Sequence, residues 1–196
     1  MERSRTVVFD LGEVLVPSGG VIPRLAAELG ITVEEFAPAY WSGRADFDLG
    51  GSPDEYWTGV LAALGRASEP ELLGWLSEVD SVKWSTLPQV SADLLAHLQG
   101  RRERLGVLSN APGPLAAAVR AAPWSAGIEH LVFSAEVAFA KPDPEIYARA
   151  DATYGTEPAD VVFFDDKPEN VEAARVHGWD AHVWAGAGAA LDILGR

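Results

Sequence analysis

Thr6-Val7-Val8-Phe9-Asp10-Leu11-Gly12-Glu13-Val14-Leu15 is the stretch that decides the fold. The β-branched and aromatic run Val7-Val8-Phe9 reads as a strand buried on both faces, as in a parallel sheet covered by helices. Such a strand delivers its next residue to the carboxyl edge of the sheet, where open α/β folds hold their ligands. Asp10 falls at that edge. A lone aspartate at a strand end commonly does no more than cap a turn, so its meaning rests on what the rest of the chain brings to it.

Downstream of Leu87-Pro88, helix and strand patterns alternate. Strands are expected over Arg104 to Ser109, Glu129 to Ser134, Asp160 to Phe164 and Ala181 to Trp184. Helices are expected over Gln89 to Gln99, Pro114 to Ala122, Pro144 to Tyr154 and Glu169 to His177, the first closed by Gly100 and the last by Gly178. Strands joined by helices of this length imply right-handed crossovers and a doubly wound parallel sheet, an α/β Rossmann-like core.

Between Pro17-Ser18-Gly19-Gly20 and Ser85-Thr86-Leu87-Pro88 the pattern is helical without a convincing strand. Thr32 to Glu35, Ser52 to Glu55 and Ser68 to Glu71 each carry the capping-box spacing, and Pro53 stands at a first helical position. Pro38 should kink or weaken its helix. Arg44, Asp46 and Asp48 read as a polar loop, and each is a candidate substrate contact, Arg44 first. Tyr40, Trp41, Phe47, Tyr56, Trp57, Trp75 and Trp84 are expected mostly as the core of a small helical bundle.

The chain has 196 residues, 48% hydrophobic and 22% charged, enough for a substantial core. No apolar run approaches the about 20 residues of a membrane span, and Met1-Glu2-Arg3-Ser4-Arg5 leads into a strand. With no cysteine for disulfides, thiol nucleophiles or cysteine-bound zinc, the reading is a cytoplasmic protein. A formal charge of −14 speaks against a nucleic-acid partner.

The ends of the expected strands gather one chemistry: Asp10, then Ser109-Asn110, then Asp165-Asp166, with Lys141 after the third strand. In a parallel sheet these converge on one edge. Carboxylates, a hydroxyl and an ammonium form a phosphate-handling set only if their charges balance. Two unit charges at about 4 Å interact by roughly 4 kcal/mol at an effective dielectric near 20. Asp10, Asp165 and Asp166 would therefore repel a phosphate unless Lys141 and a divalent cation offset them, and an all-oxygen site suits Mg²⁺.

Val8-Phe9-Asp10-Leu11-Gly12, Leu108-Ser109-Asn110, Lys141-Pro142-Asp143-Pro144 and Phe163-Phe164-Asp165-Asp166-Lys167-Pro168-Glu169-Asn170, in that order, resemble the four motifs of the haloacid dehalogenase-like superfamily. The resemblance covers essentially the whole chain. It implies a core over 1–16 and 86–196 with an inserted helical cap over 17–85, hinged at Pro17 to Gly20 and Ser85 to Pro88. It implies Asp10 as a nucleophile forming an aspartyl-phosphate, with Gly12 offering its backbone carbonyl to Mg²⁺. Asp166 becomes a direct metal ligand, and Asp165 a direct or water-mediated one. Ser109 and the N–H of Asn110 would hold the phosphoryl oxygens, Lys141 would neutralise them and orient Asp10, and Asn170 would brace the Asp165-Asp166 loop.

Most phosphatases of the superfamily carry an acid two residues after the nucleophile, where this chain has Gly12. A missing general acid is worth about 10²- to 10⁴-fold. The chain resembles the Asp-Leu-Gly subgroup, which includes sugar-phosphate phosphatases, so the expected substrate is a small phosphorylated metabolite. Glu13 is a possible replacement acid, one position out of register. A metal-independent 2-haloacid dehalogenase and a catalytically impaired phospho-ligand binder are the alternatives. A serine hydrolase built on Ser109 lacks the Gly-x-Ser-x-Gly elbow. The histidines lack metal spacing, and Gly186-Ala187-Gly188 does not complete a dinucleotide fingerprint.

Overall fold

A computed structural model describes residues 5–195; Met1 to Ser4, ahead of the first expected strand, and Arg196 lie outside them. In chain order the elements are β1 (Thr6–Phe9), α1 (Val21–Glu28), α2 (Val33–Ser42), α3 (Arg44–Asp48), α4 (Pro53–Ala63), α5 (Pro70–Trp84) and α6 (Gln89–Gly100). There follow β2 (Arg104–Ser109), α7 (Gly113–Ala121), β3 (His130–Phe133), α8 (Ser134–Val137), α9 (Pro144–Tyr154), β4 (Val161–Asp165), α10 (Pro168–His177), β5 (Asp180–Val183) and α11 (Ala187–Leu194). Among the described residues no helix is long and apolar enough to cross a membrane.

The strands form one five-stranded parallel sheet in the order β3-β2-β1-β4-β5. All four residues of β1 are fully buried, as its run of Val and Phe requires. Side chains alternate across the pleat. Val7 and Phe9 join one buried cluster with Leu94, Leu98, Leu115 and Leu194 from α6, α7 and α11. Val8 joins another with Ile146, Tyr147, Val171 and Ala174 from α9 and α10. Helices thus cover both faces, and each successive strand can cross over to lie parallel to the last.

The central register places the chemistry. Phe9 pairs with Val107 on one side and Phe164 on the other, and the Asp10 N–H continues the ladder by donating to the Phe164 carbonyl at 2.9 Å. Asp10 and Asp165 therefore leave adjacent strands side by side, with Ser109 at the end of the strand beyond. The apolar faces of α1 to α5 belong to the same cluster as β1: Leu25, Phe36, Tyr40, Trp57 and Leu61 are buried in continuity with Phe9 and Leu15.

Most sequence expectations hold within a residue at each boundary, and four features differ. The Thr32 capping box forms with both reciprocal bonds, and Ser52 accepts from the Glu55 N–H, but Ser68 caps nothing. Pro70 takes the first helical position of α5, which makes Glu69 the cap residue and leaves Ser68 one position early. Pro38 does not break α2, whose buried face of Phe36, Ala39 and Tyr40 holds it against the core through Ser42. The expected loop at Arg44 to Asp48 is the short helix α3, and α11 forms beyond Gly186 where no helix was expected.

Gly51 closes the turn after α3: its N–H donates to the Asp46 carbonyl at 3.0 Å, and a Cβ there would lie 2.9 Å from that oxygen. Any side chain must push the turn open. Gly51→Ala should destabilise the protein by about 1 to 3 kcal/mol, the range of overpacking substitutions, read from the urea midpoint. Gly19→Ala is the control, because its added Cβ meets nothing within 4 Å.

Candidate active site

Lys141 lies at the centre of the carboxyl edge. Its ammonium is buried and donates to Asp10 Oδ1 at 2.9 Å, Asp165 Oδ2 at 2.6 Å and the Leu108 carbonyl at 2.9 Å. Those contacts use all the donors an ammonium has. Lys141 therefore acts on an incoming anion through its charge; direct phosphate binding, expected from the sequence, would require it to release one of these partners. Burial alone would lower its pKa, but Asp10 and Asp165 outweigh burial and hold it above the usual value. The Asn110 side chain fixes the backbone beneath it, accepting from the Lys141 N–H at 2.8 Å and donating to the Lys141 carbonyl at 2.9 Å. The side chain of Asn110 thus has a structural part beyond the backbone N–H expected to bind phosphate.

Asp165 is fully buried and both its oxygens are engaged. Oδ2 takes Lys141, while Oδ1 accepts from the Lys167 N–H and from Asn170 Nδ2, each at 2.9 Å. Asn170 is thus the expected brace. Asp10 Oδ1 also accepts the Leu11 N–H at 2.7 Å, and the nearby Ser109 hydroxyl favours the ionised form of the same carboxyl. Burial pushes the Asp10 carboxyl up, Lys141 pulls it down and Asp165 raises it again, for a net rise. Asp166 is pushed up to about 6 by burial, with Asp10 and Asp165 adding to the rise.

Such raised carboxylates mark a site short of positive charge. Asp10, Asp165 and Asp166 each offer an oxygen, all within 4.8 Å of one another. Among the described residues no hydrogen bond reaches the Gly12 carbonyl, because the turn bonds go from Glu13 to Val16 and from Leu15 and Val16 back to Leu11. Hard oxygen donors, a spare carbonyl and excess negative charge fit a divalent cation such as Mg²⁺. With Asp165 committed to Lys141, Lys167 and Asn170, the water-mediated form of its expected metal contact suits it better than the direct one.

These residues open into a cavity of about 540 Å³ whose opposite wall comes from α2, α3 and α5. Arg44 and Asp48 line it, so α3 presents them to the site instead of to solvent; Asp46 faces a separate cleft. Arg44 is buried, with Nε donating to Asp48 Oδ1 at 2.7 Å and Nη1 lying 3.4 Å from Asp80 Oδ2 and in contact with the Tyr40 hydroxyl. Tyr40 donates to Asp80 at 2.6 Å, and the Trp84 indole N–H donates to Tyr40 at 3.0 Å. Burial drives the Asp48 carboxyl up to about 6 against the pull of Arg44. Ser134, the first residue of α8 directly after β3, donates to the Asp48 carbonyl at 2.5 Å and so ties α3 to the sheet edge.

Glu13 lines the cavity too, but its carboxylate accepts the Ser18 N–H at 3.0 Å and its backbone is left-handed, with φ 57°. Asp80 and Trp84 were missed as site residues. Asp80 had one signal: a carboxylate four residues before Trp84 on an otherwise apolar helix face must meet a buried partner. No histidine lines the cavity, and His177 instead pairs with Asp151 at 2.6 Å at the far end of α10.

A parallel α/β sheet with an aspartate cluster and a buried lysine at its carboxyl edge defines a class of hydrolytic enzyme. The chain belongs to the haloacid dehalogenase-like hydrolases, whose sequence profile matches residues 4–178. Solved structures share the fold over nearly the full length. A HAD (haloacid dehalogenase-like) family enzyme of Bacteroides thetaiotaomicron, in complex with magnesium and inorganic phosphate, is 20% identical with TM-score 0.77, covering 99% of this chain and 100% of that one. A HAD-like family hydrolase of Porphyromonas gingivalis is 22% identical with TM-score 0.75, covering 98% of each chain. The L-2-haloacid dehalogenase of Xanthobacter autotrophicus, with chloropropionic acid covalently bound, is 18% identical with TM-score 0.72, covering 99% and 84%. No curated protein matches the sequence.

If the carboxylate cluster holds a cation, MgCl₂ should raise the melting temperature, by about 2 to 4 °C per kcal/mol of linked binding. Asp166→Asn should lose most of that shift. An identical melting temperature with Mg²⁺ and with EDTA would remove the metal from this site.

Proposed function

We propose that the protein is a Mg²⁺-dependent phosphatase acting on a small phosphorylated metabolite through an aspartyl-phosphate on Asp10. The observation that carries this reading is Asp10 held by Lys141 beside Asp165 and Asp166, with the three carboxylates within 4.8 Å of one another. The similar enzyme with magnesium and phosphate supports it. We also take 17–85 as a cap hinged at 17–20 and 85–88, because α1 to α5 all fall within it and α2, α3 and α5 supply the wall facing Asp10.

An Asp10 oxygen attacks phosphorus in line, the bond from phosphorus to the leaving oxygen breaks, and the phosphoryl group passes to Asp10. The Ser109 hydroxyl and the Asn110 backbone N–H receive the phosphoryl oxygens, while Lys141 keeps Asp10 ionised and fixed in direction. Mg²⁺ bound at the cluster would offset the carboxylates and polarise the phosphoryl group. Water then attacks phosphorus from the vacated side and releases Asp10 with inorganic phosphate.

The proton for the leaving group is assigned to Asp48. Gly12 has no side chain to give one, and Glu13 is bound to Ser18. Asp48 lines the cavity on the cap wall, and its pKa near 6 lets it give a proton to the departing oxygen and take one back from the attacking water.

The first test is Mg²⁺-dependent phosphate release from p-nitrophenyl phosphate and a sugar-phosphate panel, lost in Asp10→Asn. Turnover that survives Asp10→Asn would refute the aspartyl-phosphate. Binding of phosphate without turnover on any substrate would identify an impaired binder, and chloride release from a 2-chloroacid in EDTA would identify a dehalogenase.

Asp48 holds its proton below about pH 6 and loses it above. Turnover of an alkyl phosphate should therefore decline as pH rises through that value. Asp48→Asn should slow the alkyl ester by about 10²- to 10⁴-fold and p-nitrophenyl phosphate far less, since its leaving group departs without a proton. Equal losses on both esters would exclude Asp48 as the acid.

A further inference from the structure

We propose that the substrate carries a single phosphate and an uncharged leaving group whose flat, apolar ring face packs on Trp41; this rests on the phosphatase reading above. Two observations carry it, one electrostatic and one steric.

Two of the three cations lining the site are already matched. Lys141 lies between Asp10 and Asp165, and Arg44 between Asp48 and Asp80. Arg44 stays matched by Asp80 whether or not Asp48 holds a proton. Lys167 also lines the cavity, and among the described residues its exposed ammonium makes no ion pair; yet with it and a divalent cation counted, five positive charges face the six carboxylates of Asp10, Glu13, Asp48, Asp80, Asp165 and Asp166. A phosphate and a divalent cation can enter this arrangement together. A second anionic group on the substrate, carboxylate or phosphate, would meet Glu13 and Asp48 in a site whose carboxylates already outnumber its positive charges.

The steric observation is Trp41. It lines the cavity and is 50% exposed, although its neighbours Ala39 and Tyr40 on α2 are buried. The Tyr40 ring meets it edge-on, with centroids 4.8 Å apart and planes at 88°, which holds the indole in one orientation. With Leu11, Trp84 and Leu115 it gives the cavity a predominantly apolar lining. A cavity of about 540 Å³ holds more than a phosphate, and a rigid, half-open indole at its wall suits a ring. An aromatic alcohol and the C–H face of a hexopyranose share that chemistry, and the experiment separates them.

The Asp10→Asn protein in saturating Mg²⁺ is titrated calorimetrically with inorganic phosphate, phenyl phosphate, a hexopyranose monophosphate, phosphoglycolate and a hexose bisphosphate. At least one ring monoester should bind about tenfold or more tighter than inorganic phosphate, and which one identifies the ring. Phosphoglycolate and the bisphosphate should gain nothing over inorganic phosphate. Trp41→Ala on this background should remove up to about tenfold of the ring gain, and Trp41→Phe should retain part of it. In the wild-type background Trp41→Ala should raise KM for the ring ester and leave kcat nearly unchanged.

Tighter binding of phosphoglycolate or the bisphosphate than of either ring ester would overturn the proposal, as would a Trp41→Ala variant that binds ring esters normally. The phosphatase reading would survive both results. Failure to bind inorganic phosphate in Mg²⁺ would overturn the two together.

Discussion

The structure depends on one buried ammonium. The parallel register forces β1 and β4 to end side by side, and both end in aspartate, so Asp10 and Asp165 would confront each other in a nearly dry site. Removing one partner from a buried charge cluster of this kind costs about 3 to 5 kcal/mol. Lys141 resolves the conflict by standing between them, and its third contact, the Leu108 carbonyl, ties β2 into the same knot. Asn110 then fixes the segment that delivers Lys141. One cation thus connects three adjacent strands to the loop before α9, and the nucleophile takes its direction from that connection.

The helical wall repeats the solution. Arg44 is buried between Asp48 and Asp80, with Tyr40 and Trp84 completing the network. Its charge is spent inside the protein, which makes this wall an aromatic face with no free guanidinium opposite a highly charged edge. Ser134 holds α3 in place through the Asp48 carbonyl, so the acid proposed for the leaving group is positioned by a residue of the sheet edge and charged by a residue of its own helix. Gly12 places no side chain beside Asp10, and Trp84 stands 3.5 Å from where a Cβ would be.

Local signals were legible where the chain itself supplies the partner. Val7 to Phe9 reads as a buried strand because its residue types fit no other environment so well, and Thr32 with Glu35 caps α2 through bonds made within four residues. Legibility failed where two local signals competed. Ser68 has the spacing of a cap, yet Pro70 fixes the helix start and overrides it. Arg44 to Asp48, short and bounded by glycines, looks like a loop; it becomes a helix because burial of Phe47 and Arg44 against neighbouring helices compensates for its length.

The sequence by itself determined the alternation of strands and helices, the convergence of Asp10, Ser109, Lys141 and Asp165-Asp166 on one edge, and the family. Each follows from residue type and order, because a parallel sheet puts every strand end on the same side. Only the tertiary structure decided how the charges are shared: that Lys141 has no donor left for a ligand, that Asp165 serves Lys141 and Asn170, and that Arg44 is neutralised from within by a carboxylate thirty-six residues away. Electrostatics of this kind depends on distance and burial, and neither is written in the order of residues along a chain.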